Sequence, residues 1–290
     1  MEEILQHLAN AAVIGGAYAL LGVGLTMIFG IMGVVNFTHG ELYTFGAYMT
    51  YFFVMVLGTN FYVAILLAVI LGAGLGALIE LILLRPLRGA DIDISMVVMI
   101  GAWIVLQNVE QLVWGGVAKS IDTPFPDEPL VIGPVSVSWL LVFILFAAGA
   151  LIAATHLFIH RTSIGKAMRA TFQDRDTAAL MGINIDFVYT LTFALGSALA
   201  AAAGALLAPA FIVTITMGNA VALKAFAIVI LGGLGNFWGA ALGGFILAFV
   251  EEIGAGYVSS GYRDAISFLL IILVFLMRPR GLFARAERVS

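Results

Sequence analysis

Asn36, Thr38, His39 and Glu41 stand together inside GLTMIFGIMGVVNFTHGELYTFGAY, residues 24–48, where almost every neighbour is apolar. Polar side chains in such surroundings either line the route of a polar solute or satisfy local backbone. Both uses suit these four. Thr38 can cap a helix that starts here with Glu41 as its third-position partner, a capping box, and His39 can hydrogen-bond backbone. Lys224, alone in AVALKAFAIVI, can face a path and meet a carboxylate, or sit near the outer end of its helix and snorkel to the interface. Asn236, in LGGLGNFWGA, suits a helix cap first and a path residue second. Glu80, Glu110, Glu251 and Glu252 fall near the ends of apolar runs, where interfacial positions account for them.

Catalytic chemistry finds no matching pattern. His156 and His160 share a helical face, but residue 157 is leucine, so the glutamate of H-E-x-x-H is missing, as is a third ligand. No G-x-S-x-G elbow occurs. Cysteine is absent, which removes thiol catalysis, thiolate metal sites and disulfides. Lysine occurs three times, and none of the three closes G-x-x-x-x-G-K-[ST]: Ala118 precedes Lys119, Leu223 precedes Lys224, and Ala167 follows Lys166. No cofactor is expected on this chain. If ATP drives it, a separate polypeptide carries the nucleotide and must grip a protrusion of this one.

The elements that hold these residues are membrane helices. The chain has 290 residues, 62% hydrophobic and 10% charged, with a mean hydropathy of +1.11. Soluble domains carry about a quarter charged residues. There is no basic surface for nucleic acid, and no stretch suits a separately folding soluble domain. The start, MEEILQHLANAAVIGG, carries glutamates where a signal peptide has lysine or arginine, so its apolar segment reads as retained.

A bilayer core takes about 20 helical residues, and runs near that length fall at 11–29, 41–58, 61–84, 94–114, 139–158, 189–211, 220–234, 237–254 and 262–277. That gives nine spans, or eight if 220–236 is re-entrant. Ten of the 13 basic residues lie at Arg85 and Arg88, at Arg161, Lys166, Arg169 and Arg175, and at Arg278, Arg280, Arg285 and Arg288. By the positive-inside rule these three places are cytoplasmic, which puts the amino terminus outside and the carboxyl terminus inside. Residues 118–134, with Asp122, Asp127, Glu128 and four prolines, read as an acidic, non-helical external loop. Gly72-x-x-x-Gly76 and Gly239-x-x-x-Gly243 are spaced for close helix contact. Residues 29–48 and 230–245 each place glycines, Asn-Phe and then a new helix, the pattern of broken-helix counterparts whose interruptions line a cavity.

The longest polar interruption is RTSIGKAMRATFQDRDTAALMGINID, Arg161–Asp186. Thr162 or Ser163 can cap a first short helix, and Asp174 a second, Arg175 to Met181, closed by Gly182. The apolar face of the second, Ala178, Ala179, Leu180 and Met181, is too small to fold alone in water. It must dock onto something. An ordinary loop whose basic residues only fix topology accounts for the same composition.

Five stretches carry a family resemblance: residues 24–48, RPLRGAD at 85–91, TSIGKAMRA with AALMGIN between 162 and 184, LKAFAIVILGGLGNFWGAALGGFILAFVEE at 223–252, and YRDAISFLLIILVFLMRPRGLF at 262–283. Over nearly its whole length the chain resembles the permease subunits of branched-chain amino-acid ABC importers, of the LivH type. The resemblance implies an all-α polytopic membrane protein with about eight or nine transmembrane helices, some broken or re-entrant, in a type II ABC importer-like arrangement. It makes residues 1–290 a single permease domain, with 159–188 as the cytoplasmic coupling loop. Asp176, Ala178, Ala179, Leu180, Met181 and Gly182 would then sit in a cleft of the ATPase, flanked by Arg169 and Arg175. The implied partners are a second, LivM-like permease, two ATP-binding subunits holding ATP-Mg, an external substrate-binding protein and the bilayer. Related permeases move urea or short amides. An ATP-independent channel or secondary carrier is the rival class, although the charged residues sit near run ends and not mid-span, where ion coupling would place them.

Overall fold

The computed structural model describes residues 2–133, 135–257, 259–278 and 281–283. Arg280, Arg285 and Arg288 of the third basic group lie outside the described residues. The described chain is almost wholly helical. Its long helices are α1 (Glu2–Met32), α2 (His39–Tyr51), α3 (Phe61–Ile79), α4 (Ile92–Trp114), α5 (Trp139–Arg161), α8 (Ile185–Leu207), α9 (Met217–Gly232), α10 (Phe237–Tyr257) and α11 (Arg263–Met277). Two short helices, α6 (Ser163–Gln173) and α7 (Arg175–Leu180), lie between α5 and α8. These match the expected runs in number and order, and six of them are long and apolar enough to cross a membrane on their own. The 16 residues of α9 rise only about 24 Å, short of a bilayer core.

The core is built around α1. From Ala17 to Ile28 its side chains are buried on nearly every face, because α5, α8, α9 and α10 surround it. Close approach there depends on missing side chains. A Cβ at Gly46 would overlap the backbone of Ala201, and one at Gly204 the carbonyl of Tyr43, so these glycines let α2 and α8 touch backbone to backbone. The two expected small-residue motifs pack as anticipated: Gly72 and Gly76 seat α3 on Ala201 and Ser197 of α8, and Gly239 and Gly243 seat α10 on α9. The outer helices α4 and α5 turn apolar residues such as Val105, Leu112 and Phe146 outward.

The loop expected to be irregular contains a small hairpin, β1 (Leu130–Ile132) against β2 (Val135–Val137). Gln6 holds it to α1, accepting from Ser136 N at 3.0 Å and donating to Ser136 O at 2.9 Å. Lys119 exchanges backbone hydrogen bonds of 3.0 and 2.9 Å with Val213, tying this loop to the α8–α9 connection. Helix α1 starts earlier than its apolar run, since residues 2–10 continue the same helix.

Candidate translocation path and coupling surface

The polar interruption folds into the two helices expected of it. Thr162 caps α6, its Oγ1 accepting from Gly165 N at 2.9 Å. Gly165, Met168 and Thr171 form the buried face of α6, while Lys166 and Gln173 face out. Asp174 caps α7: its Oδ1 accepts from Asp176 N and Thr177 N, each at 3.0 Å, and its Oδ2 from the Thr177 hydroxyl at 2.7 Å. These bonds hold the Asp174 carboxyl below the usual carboxylate range, with the Thr177 backbone N–H the largest cause. Gly182 ends the helix at φ +85°, with Gly182 N bonded to Ala179 O and Ile183 N to Ala178 O, a Schellman closure. Ala178 turns inward and is buried, whereas Leu180 and Met181 are 88% and 80% exposed at the tip. Ala179 and Asp176 are exposed beside them.

The basic residues of this segment do different things. Arg169 turns back from α6 and donates to the Ile159 carbonyl at the end of α5. There it lines a cleft of about 920 Å³ with His160, Phe172, Asn236 and Trp238. Arg175 lies 5.6 Å from the Tyr189 ring centroid on α8, and Arg88 lies 5.2 Å from the same ring. Arg88 also pairs with both Glu80 and Asp186. Arg85 meets Asp186 at 2.9 Å, and the Thr190 hydroxyl donates to Glu80 at 2.5 Å. Glu80 is therefore buried and paired within the protein. Asn184 caps α8 through Phe187 N at 3.0 Å, so the exit from α7 is fixed at once to α8 and to the end of α3.

At the first helix break, Gly33 has φ +67°, and residues 33–36 run without helix. His39 Nε2 donates to Leu21 O at 3.1 Å, which sets the start of α2 beside the middle of α1. The capping box does not form. Asn36 Oδ1 accepts both Thr38 N at 3.1 Å and the Thr38 hydroxyl at 2.6 Å, so the Thr38 side chain is turned away from the helix. Glu41 instead accepts Trp103 Nε1 of α4 at 2.9 Å. The Glu110 carboxyl comes within hydrogen-bonding reach of Glu41, and Gln107 Nε2 donates to Asn219 Oδ1 of α9 at 2.9 Å. Asn36, Thr38, His39 and Glu41 are all fully buried or nearly so.

Lys224 and Asn236 lie elsewhere. Lys224 does not snorkel: its buried Nζ is 3.0 Å from the Tyr18 hydroxyl and 3.1 Å from the carboxylates of Glu251 and Asp264. Tyr18 donates to Glu251 at 2.9 Å, Ser267 also bonds Glu251, and Glu252 takes Arg263 and Asn10. This network joins α1, α9, α10 and α11, so Glu251 and Glu252 are held by partners on neighbouring helices. Asn236 caps α10 through Gly239 N at 3.0 Å, as its position suggested, and donates to Phe283 O at 2.7 Å. His156 and His160 stack at 4.0 Å between ring centroids.

Sequence reasoning read Arg88 only as a marker of topology, gave no role to Asp186, Tyr189, Trp103 or Gln107, and placed Glu110 near the end of an apolar run. One signal was present: carboxylates recurring inside apolar runs need partners, and RPLRGAD and α4 supply them.

A helical bundle with six helices apolar enough to cross a membrane, broken helices, buried polar groups at a break and a projecting helical tip has the build of a multi-pass membrane protein. Residues 7–275 match the family described as branched-chain amino acid transport system, permease component, and the chain belongs to that family. It is 36% identical over 297 residues to the high-affinity branched-chain amino acid transport system permease protein BraD of Pseudomonas aeruginosa, covering 98% of this chain and 96% of that one. To LivH of Escherichia coli it is 34% identical over 303 residues, with the same coverage. The ribose import permease RbsC of Escherichia coli is 24% identical over 280 residues, covering 89% and 81%. The solved structure of PsaBC from Streptococcus pneumoniae in complex with Fab superposes with a TM-score of 0.51 at 11% identity, over 93% of this chain and 91% of that one, which shows a shared fold.

Proposed function

We propose that this chain is the membrane permease of an ATP-driven importer of leucine, isoleucine and valine, working with a second related permease, two ATP-binding subunits and an external binding protein. The observation that carries the reading is the tip of α7. Leu180 and Met181 project from a helix capped at both ends, on a sequence that contains no Walker A motif. Exposed apolar side chains on a rigid polar protrusion mark a docking site. ATP-Mg belongs to the partner subunits, and α7 with Arg175 and Asp176 seats in a cleft of one of them. The α6–α7 end is cytoplasmic and the amino terminus external, in agreement with the basic residues around α6 and α7.

ATP binding closes the ATPases and pushes α7. Because Arg175 stacks on Tyr189, and Arg88 joins Tyr189, Asp186 and Glu80, the push reaches α8 and α3 together. Alternating access follows as α8 shifts against α2, whose start at Asn36, Thr38, His39 and Glu41 faces the path. Asn236 steadies the second break, and Lys224 holds α9 to α10 and α11. The substrate class rests on the names of the relatives at 34–36% identity.

Copurification from the native membrane followed by uptake in proteoliposomes tests the reading. The expected result is an ATPase in the purified complex and labelled leucine accumulating only with ATP and the binding protein. ATP-driven urea uptake would keep the architecture and replace the substrate; equilibration without ATP would make the chain a channel or carrier.

A further inference from the structure

Helix α4 joins the bundle through a polar seam. Only Ser95, Met99 and Glu110 of its 23 residues are buried, while Trp103, Gln107 and Glu110 reach α2 and α9. Trp103 stands opposite Glu41, and Trp114 stacks on Tyr48 at 5.4 Å with 8° between the rings. The two helices therefore run side by side in the same sense, and Glu110 falls between Glu41 and Tyr48.

Three buried oxygens on this seam, Glu41 Oε2, Glu110 Oε2 and the Tyr48 hydroxyl, receive no N–H or O–H from elsewhere in the described residues, and the two carboxyls, within hydrogen-bonding reach of each other, can share only a single proton. Their side chains are at most 5% exposed. Buried polar atoms are normally paired, and a carboxylate left unpaired in an apolar setting is the most costly kind. A primary ammonium offers three N–H donors and one positive charge, which matches three free acceptors beside two carboxyl groups. Calcium-type cations ask for six to eight oxygens, at least twice the three free ones here. Around the oxygens stand the rings of Tyr48, Trp103 and Trp114, suited to an aliphatic side chain and to cation–π contact.

We propose that Glu41, Glu110 and Tyr48 form a transient site for the ammonium group of the amino acid in transit, between α2 and α4. The site deepens the importer reading and rests on it. It leaves the substrate carboxylate free, so the seam accepts aliphatic primary amines and rejects the corresponding acids. Trp103, by holding Glu41 Oε1, fixes which oxygen is offered.

The test uses the assembled complex in proteoliposomes, with wild-type leucine uptake established first; absence of that uptake defeats the importer reading itself. In the wild-type complex, 3-methylbutylamine is expected to slow ATP-driven leucine uptake, 4-methylpentanoate is not, and exchanging sodium for potassium changes nothing. Glu110→Gln and Glu41→Gln are expected to cut the uptake rate about tenfold or more, the scale of one lost charged hydrogen bond, with Glu110→Asp retaining more. Copurification of the ATPase checks that each variant assembles. Equal effects of amine and acid, a requirement for one inorganic cation, or assembled glutamine variants with wild-type uptake would each overturn the proposal. The amine and acid comparison decides the matter even if no variant assembles.

Discussion

The guanidinium of Arg175, at the start of α7, lies 5.6 Å from the centre of the Tyr189 ring, one turn into α8. This contact connects the exposed tip to the membrane helices, and Arg88 reaches the same ring from α3's side at 5.2 Å. Arg88 carries more weight than its neighbour Arg85. The Glu80 partner of Arg88 is 0% exposed, whereas the Arg85–Asp186 pair is 47% and 50% exposed. Removing one partner of a buried pair costs about 3–5 kcal/mol, and an exposed pair contributes about 0.2–1 kcal/mol. Arg88→Ala should lower the thermal midpoint of the detergent-purified complex several-fold more than Arg85→Ala.

Backbone contact between α2 and α8 predicts a steep steric response. Gly46→Ala or Gly204→Ala should destabilise the complex by about 1–3 kcal/mol, the usual cost of overpacking. Gly74→Ala, where an added Cβ meets nothing within 4 Å, should be tolerated and serves as the control. The same thermal measurement separates them.

Asp174 should make the fraying of α7 depend on pH. Its carboxyl is held below the usual range by the Thr177 backbone N–H first, then the Thr177 hydroxyl and the Asp176 N–H. A folded-state value depressed below the unfolded one, about 3.9, gives a stabilisation present above that value and lost as pH falls through the folded value. Amide exchange at Asp176 and Thr177, measured against the intrinsic rate at each pH, should be strongly slowed at neutral pH and approach the intrinsic rate below about pH 4. In Asp174→Ala it should be fast throughout, while Asp174→Asn, which keeps the accepting oxygen, should retain most of the protection.

Much of this arrangement was legible from sequence. Apolar run lengths placed the long helices, and Thr162, Asp174 and Gly182 placed the caps of α6 and α7, because capping needs only local residues. Both close-contact glycine motifs lie where their spacing put them. Pairings between distant segments were not legible. Thr38 had a suitable partner in Glu41 three residues on, but Asn36, two residues back, captures the Thr38 hydroxyl, and Trp103, 62 residues away, captures Glu41. Lys224, near the outer end of its apolar run, can by sequence either snorkel or meet a carboxylate; Glu251 and Asp264 reach it only through the packing of α9, α10 and α11.

The same packing predicts that Lys224 is fixed by its partners. Lys224→Met removes one charge from a buried network and leaves Glu251 without its cation, a loss of about 3–5 kcal/mol. Lys224→Met combined with Glu251→Gln should recover a large part of it, as judged by thermal midpoint.

In the proposed importer, Leu180 and Met181 dock on an ATPase and carry its cycle to the membrane helices. Leu180→Glu in the full importer tests it most directly, because the residue is 88% exposed and its loss should change the stability of this chain by no more than about 0.5 kcal/mol. Measured as ATP-dependent leucine uptake beside wild type, with equal amounts of permease in the membrane, the variant should lose uptake and ATPase copurification together. Wild-type uptake by Leu180→Glu would contradict the account.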